Sequence, residues 1–366
     1  MIKSCYIHIP FCKNICSYCD FCKNYYNDEM VSKYIDAIEK EIKDNYKKEV
    51  LDTLYIGGGT PSSLSYDNLN KLFNVLKTFE LSNDYEFTFE CNFEDITDEL
   101  LKLLKENKVN RISIGIQSFN NKFEDILSRT IDKDMMFENI SKAKKYFDNI
   151  NVDLMYAMPT ESINDLKKDL INIIKLDVTH VSTYALIIED HTKLSIKNTK
   201  EINDDLQSNM YYMIVNELTK FGYNHYELSN FSKKGYESKH NLTYWKNERY
   251  YGFGAGASGF INNIRYDNTK SITNYIKGKK KTYEENLDKL MFMKDEVMLN
   301  LRMIKGINKN DFYNKYKIKL EDAFNYSSLV KNSLLKEDNN NLFIPKDKLF
   351  ISNEIIIRML DSFNLE

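Results

Sequence analysis

The stretch Cys12-Lys13-Asn14-Ile15-Cys16-Ser17-Tyr18-Cys19 sets three thiols within eight residues in the spacing C-x3-C-x2-C, and Cys22 follows after Asp20 and Phe21. Four of the six cysteines lie between positions 12 and 22; only Cys5 and Cys91 stand elsewhere. Three chemistries compete for such a run. A structural zinc site wants four closed tetrahedral ligands, usually from two knuckles separated by a loop, and one continuous run suits that geometry poorly. A ferredoxin cluster takes four thiolates with a different order of gaps, often with a proline after the last, and none follows Cys22. A cubane held by three cysteines leaves one iron open for a small ligand.

A second group of chemistry-bearing residues is scattered in sequence. Gly57-Gly58-Gly59-Thr60-Pro61 ends the apolar run Thr53-Leu54-Tyr55-Ile56, and glycines there expose backbone N–H and C=O groups at close range. Tyr85 to Glu90 alternates as a strand and ends in an acid, Arg111 to Gln117 is a strand ending in an amide, and Asn151 to Tyr156 carries Asp153. A helix after Gln117 is expected to carry Arg129.

The elements that must position these residues alternate. Tyr6 to Ile9 reads as a first strand ending at Pro10. Helices are expected over Asp28–Asn45, Leu69–Phe79, Asp98–Asn107 and Asp204–Phe221, and a sixth strand over His180–Leu186. Strands alternating with helices predict a parallel sheet. Six such units are too few for a closed eight-stranded barrel, so the expected fold is an α/β partial (β/α)6 TIM-type barrel. In barrels of this type the site lies at the C-terminal ends of the strands. Cys12, Gly57 to Thr60, Glu90, Gln117 and Asp153 each fall at or just past such an end and would ring one mouth.

Bulk properties narrow the function classes. A net charge of -3 over 366 residues gives no basic field, so nucleic acid is not an expected partner. No apolar stretch is long enough to span a bilayer and no charged start with an apolar run opens the chain; a transient membrane association is compatible with both facts. Clustered cysteines in such a chain favour a reducing cytoplasm and metal binding over disulfides.

Past about Tyr223 the periodicity weakens. An aromatic and glycine-rich segment holds His240-Asn241-Leu242-Thr243-Tyr244-Trp245, with the only tryptophan, and Gly252 to Gly259. From Leu287, helices and a hairpin-like Leu342–Ile351 suggest a small helical, winged-helix-like domain. The expected division is a barrel over 1–225, a connecting segment packing on the barrel mouth over 226–285, and a C-terminal domain over 286–366.

Several separate motifs carry a family resemblance: Tyr6-Ile7-His8-Ile9-Pro10-Phe11-Cys12, the cysteine triad, Gly57 to Pro61, the strand-end Glu90, Arg111-Ile112-Ser113-Ile114-Gly115-Ile116-Gln117-Ser118-Phe119, Arg129 and Asp153. Together they resemble the oxygen-independent coproporphyrinogen III oxidase group of radical S-adenosylmethionine (SAM) proteins, and His240 to Trp245 resembles a motif of its HemW-type haem-chaperone branch. The resemblance implies that Cys12, Cys16 and Cys19 hold a [4Fe-4S] cluster, whose open iron SAM chelates and whose electron cleaves the sulfonium bond. It implies close backbone contacts to SAM at Gly58, Gly59 and Thr60, an acceptor at Glu90, and packing at Tyr6 and Tyr18. Gln117, Arg129 and Asp153 match positions that contact a nucleotide moiety in the oxidases, where part of it is a second SAM. For haem, which needs an aromatic surface and an axial donor, the same motif offers His240 or Tyr244 as donor and Trp245 as a stacking face. His180, His191 and His225 lie in segments with no other haem-like feature.

Plainer roles compete with these. His8 and His240 could be hydrogen-bonded core histidines, Arg129 could pair with a surface acid, Cys5 and Cys91 are expected to pack, and Cys22 could approach the cluster or stand by. The chain departs from its branch at Cys22, at Ser258 in Gly254-Ala255-Gly256-Ala257-Ser258, and at Arg129-Thr130-Ile131; the last two positions often carry histidine in relatives. Two functions follow from the resemblance: a haem chaperone passing haem to an acceptor protein, or a radical enzyme decarboxylating coproporphyrinogen III. A third is a related radical enzyme acting on haem. Only eleven residues precede Cys12, where the oxidases carry a longer segment, and this favours the chaperone.

Overall fold

The computed structural model describes residues 1–365; Glu366, the last residue of the expected C-terminal domain, lies outside the described residues. Six parallel strands form the centre: β1 (Ser4–Ile9), β2 (Leu51–Gly58), β3 (Leu81–Asn92), β4 (Arg111–Gln117), β5 (Asn149–Tyr156) and β6 (His180–Ala185). They pair in chain order, each strand parallel to the next. Helices return the chain between them, as parallel neighbours require.

Side-chain alternation explains both faces. In β1, Cys5, Ile7 and Ile9 are fully buried and belong to the apolar core, while Ser4, Tyr6 and His8 occupy the alternate face. The covering helix Asp28–Asn45 starts where the Asn27 side chain accepts from the Met30 amide, and it buries Val31, Tyr34, Ile35, Ile38 and Ile42. Its spacing is legible because an amphipathic helix repeats at three and four residues. The opposite strand faces form polar rows. Ser4, Thr53 and Glu86 are in register near the N-terminal ends, and Tyr6, Tyr55, Thr88 and Arg111 form the next row up. Above them come Glu90, Ser113, Asn151 and His180, and then Asn92, Gly115, Asp153 and Ser182.

The sheet does not stop at six strands. β7 (Asn224–Glu227) and β8 (Asn230–Ser232) continue it antiparallel beyond β6, and β9 (Tyr250–Phe253) lies parallel to β1 on the other edge. β10 (Ser258–Ile261), β11 (Ile264–Asn268) and β12 (Lys281–Asn286) extend that edge antiparallel, giving twelve strands in one open sheet. The segment 226–285 therefore extends both sheet edges, and it also meets the cysteine loop where Gly256 and Lys270 pack on Cys22. Between those edges runs the helix Lys239–Trp245, which meets the barrel at its N-terminal end through the Ser4, Thr53 and Glu86 row.

Two other local expectations change. No helix carries Arg129: a single turn, Glu124–Leu127, ends at Ser128 in the left-handed region, so Arg129 sits in a loop. The C-terminal hairpin pairs Lys336–Glu337 with Asn341–Phe343, and Lys346–Ile351 is a 3-10 helix. Pro345 supplies no donor and begins that turn. Ile307–Asn308 adds a third strand, and helices Lys289–Asn300, Lys309–Tyr316 and Ser352–Asp361 complete this unit.

Candidate functional site

The C-terminal ends of the six central strands surround a cavity of about 450 Å³. Cys12, Cys16 and Cys19 all line it. Cys12 closes a two-residue strand, Phe11–Cys12, with Tyr25 opposite it. The rest of the loop is tied to its neighbours through backbone atoms. The Ser17 amide donates to the Leu127 carbonyl (3.2 Å), and Lys193 Nζ donates to the Ile15 carbonyl (3.1 Å). All six cysteines are free. Burial pushes the Cys12 thiol up to about 11, against a hydrogen bond from Thr60 that pulls it down.

Cys22 is turned out of this set. It does not line the cavity; its Sγ donates to the Lys270 carbonyl (3.2 Å), and its Cβ packs on Gly256. Its own carbonyl accepts from His8 Nε2 at 2.8 Å. A carbonyl only accepts, so Nε2 carries the proton and Nδ1 of neutral His8 accepts from the Tyr6 hydroxyl at 2.9 Å. Burial lowers the His8 pKa and favours that neutral form. His8 is thus a hydrogen-bonded core histidine. Tyr6 does not line the cavity and braces His8 instead, which corrects its expected place beside the ligand.

The glycine run has a structural cause that the sequence does not disclose. A Cβ on Gly58, whose φ is +112°, would lie 2.4 Å from the His8 ring. One on Gly59 would strike the Phe11 amide at 2.7 Å and the Ile9 carbonyl at 2.8 Å, and one on Gly57 would strike the Glu90 carboxyl at 2.6 Å. The amides of Gly59 and Thr60 donate to the carbonyls of Ile9 and Phe11 at 2.9 and 2.8 Å. The run therefore locks the start of the cysteine loop to β2, while Gly58, Gly59 and Thr60 also present backbone to the cavity.

Around the wall, Glu90 accepts from the Tyr55 hydroxyl (2.7 Å) and the Gly58 amide (2.9 Å). Burial pushes its carboxyl up to about 7, more than those two bonds pull it down. Asp153, mid-strand and not at a strand end, accepts from Asn151 Nδ2 (2.8 Å) and is also raised by burial. Arg129 donates to the Gly115 carbonyl (2.9 Å) and lies over the Phe93 ring, its guanidinium carbon 5.0 Å from the ring centroid. Among the described residues no carboxylate lies within 4.0 Å of it, so the alternative of a surface ion pair does not hold. Gln117, at φ +71°, and Arg129 both crowd the point a Gly115 Cβ would occupy, at 3.0 and 3.3 Å. Tyr18 completes this wall.

Several lining residues were not expected: Arg111, Ser113, Asn151, Ser182, Tyr184 and Asn241. Asn151 sits two residues along its strand from Asp153, and there period-two alternation was the available signal. Asn151 ties them together. Its Oδ1 meets His180 Nδ1 (2.6 Å) and Ser182 Oγ (3.0 Å), and its Nδ2 donates to Ser113 Oγ (2.7 Å).

The assignment of His240, Tyr244 and Trp245 to haem is corrected. His240 is 1% exposed, and its ring nitrogens meet Thr53 Oγ1 (2.7 Å) and the Tyr244 hydroxyl (2.8 Å). Burial pushes its pKa down to about 3. No lone pair of this ring is free for a metal. The Trp245 carbonyl accepts from Asn300 at 3.0 Å, and its ring lies by Arg302, with the guanidinium carbon 5.9 Å from the ring centroid, and does not line the cavity. Of the whole motif only Asn241 reaches the cavity, from below.

No three thiols, imidazoles or carboxylates among the described residues converge on a point that would hold a single metal ion. A cubane asks for something else, because each thiolate binds a different iron. Three free thiols lining one cavity, with the fourth withdrawn, fit a three-cysteine [4Fe-4S] cluster.

A sequence profile of the Radical SAM superfamily matches residues 6–171. Coproporphyrinogen III oxidase (HemN) from Escherichia coli, a radical SAM enzyme, has the same fold, with a TM-score of 0.87 over 98% of this chain and 90% of that one at 20% identity. The fold is that of a radical-SAM protein. Heme chaperone HemW of Lactococcus lactis subsp. lactis is 38% identical over 99% of this chain and 98% of its own length, and that of Bacillus subtilis 35% identical over 97% and 98%. The chain belongs to the HemW family. No helix among the described residues is long and apolar enough to cross a membrane.

Proposed function

We propose that this chain is a haem chaperone that binds a SAM-ligated [4Fe-4S] cluster and passes haem to an acceptor protein, working in the cytoplasm. The observation that carries the reading is the selective convergence of Cys12, Cys16 and Cys19 on one cavity while Cys22 faces Lys270. When bound, such a cluster supplies an open iron for SAM and a low-potential electron.

The chain's own residues would then divide the work. Thr60 favours the thiolate of Cys12, the form a metal needs. Glu90, raised by burial, is placed to accept from an ammonium or a hydroxyl of SAM and is favoured as carboxylate by the cation. Arg129, free of any carboxylate, is placed to receive an anionic or carbonyl group, with Gln117 and Asp153 beside it on the same wall. Gly58 and Gly59 offer backbone, and Tyr18 covers the ligand. The names of the HemW relatives support haem as cargo.

Anaerobic reconstitution tests the reading. About four irons per chain are expected, together with SAM-dependent binding of haem and its transfer to an apo-haemoprotein. Decarboxylation of coproporphyrinogen III by protein that binds no haem would overturn it in favour of the oxidase.

A further inference from the structure

We infer that haem docks flat across the mouth of the barrel, outside the cavity, with His191 as its axial ligand and Phe21, Ile187 and Ile196 as its apolar bed. This rests on the haem-chaperone reading above.

Volume comes first. A cavity of about 450 Å³ suits one ligand of SAM's size, and the proposed cluster and SAM would fill it. A tetrapyrrole of larger area has to lie outside. The axial donor follows by inspection of the five histidines. Both ring nitrogens of His8, His180 and His240 are engaged. His225 is buried and stacks on Phe231 with ring centroids 4.4 Å apart. His191 is exposed and makes no side-chain hydrogen bond among the described residues. It lies two residues after Glu189, which lines the cavity, and two before Lys193, which holds the cysteine loop at Ile15.

The segments that border the opening carry exposed apolar side chains. Phe21 is 64% exposed, Ile187 60% and Ile196 74%, and the first two also line the cavity. Single exposed apolar side chains are ordinary, but a cluster around an opening marks a binding surface. Ile196 ends the turn Lys193–Ile196, which the Leu194 amide joins to the Ser17 carbonyl at 3.3 Å. Haem also carries two propionates. Lys23 and Lys193 donate only to the carbonyls of Cys19, Phe21 and Ile15, and no carboxylate among the described residues lies within 4.0 Å of either. Asp20 and Glu189 border the same opening and would repel the propionates, which restricts haem to the orientation that faces the lysines.

The test is a titration of the reconstituted full chain with ferric haem, read as the Soret maximum and the affinity. His191→Ala should shift the Soret band and weaken binding about ten-fold, and added imidazole should restore the band. Phe21→Ser with Ile187→Ser should weaken binding while the band stays in place. His240→Ala, where it folds, should leave the band unmoved. The inference is overturned if His191→Ala keeps both band and affinity, or if His240→Ala alone shifts the band. It is equally overturned if the two serine changes spare haem binding but stop transfer, since the rim then docks the acceptor. If the unaltered chain binds no haem, the haem-chaperone reading itself fails.

Discussion

Glu86 and Glu90 lie four residues apart on one face of β3 and meet opposite fates. The Glu86 carboxylate accepts from the Lys239 and His240 amides, both at 3.0 Å, and from Ser238 Oγ at 3.4 Å. It caps a helix N-terminus, where unpaired amides and the helix dipole favour a negative charge. With Ser4 on Thr243 (2.9 Å) and Thr53 on His240 (2.7 Å) it seals the barrel floor. Glu90, one layer from the mouth, has two donors and an open cavity in front of it. At the floor Glu86, Ser4, Thr53 and His240 find their partners within the chain. The mouth leaves an acid raised by burial, a guanidinium without a carboxylate and three free thiols for something else to satisfy. Residue type therefore does not separate structure from function in this lumen; completeness of pairing does.

The sharpest break between the two regions lies within the cysteines. Cys16→Ser should abolish the four-iron cluster, because a hydroxyl replaces a thiolate ligand. Cys22→Ser should retain about four irons, as its thiol serves Lys270. Iron and sulfide analysis after anaerobic reconstitution decides it, and equal loss in both variants would place Cys22 in the cluster and remove the open iron.

The floor should fail differently. His240→Ala removes two hydrogen bonds and a buried ring, and should cost about 3 kcal/mol of stability. Denaturant unfolding measures that cost. The protein that remains folded should bind SAM with unchanged affinity, since only Asn241 of this motif reaches the cavity. A weakened SAM affinity at unaltered stability would show that the floor belongs to the site.

These two regions were not equally legible in the sequence. The helix Asp28–Asn45 and the strand Arg111–Gln117 emerge with the expected bounds, because period and caps are local. The mouth was legible through a topological rule: strand ends collect the site, so Glu90 and Gln117 could be placed without knowing their neighbours. The floor was not, because His240 finds Thr53 and Glu86 at separations of 187 and 154 residues. No local pattern distinguishes a histidine about to be buried from one offered to a metal. The pairing of β9 with β1 was hidden for the same reason, and so were the atoms that require each glycine from Gly57 to Gly59.

Gly58 tests the junction between the two accounts of that run. Gly58→Ala adds strain at φ +112° and sets a methyl against the His8 ring, and should cost about 2 kcal/mol. If the clash is the cause, His8→Ala in the same chain should recover part of the loss, and a double-mutant cycle on unfolding free energy measures the coupling. Additive losses would leave close approach of the ligand as the reason for this glycine.

The smallest effect expected is the pH dependence of SAM binding, and it isolates Glu90. Burial holds its carboxyl at about 7 in the free protein, above its ordinary value of 4.5. Below that pH the group is protonated and neutral. A cationic ligand beside it favours the carboxylate, so binding must expel the proton, and affinity should rise as pH rises toward about 7 and then level off. The slope cannot exceed ten-fold per pH unit for one proton. Folding runs the opposite way: the unfolded glutamate ionises first, so the contribution of Glu90 to stability falls between pH 4.5 and about 7. Glu90→Gln should flatten the affinity profile and lower its plateau, because an amide keeps the shape and loses the charge. Calorimetry in buffers of different ionisation enthalpy counts the proton directly. An affinity profile in the Gln variant as steep as in the parent chain would assign the proton to another group, and Asp153, raised by burial on the same wall, would be the next to replace.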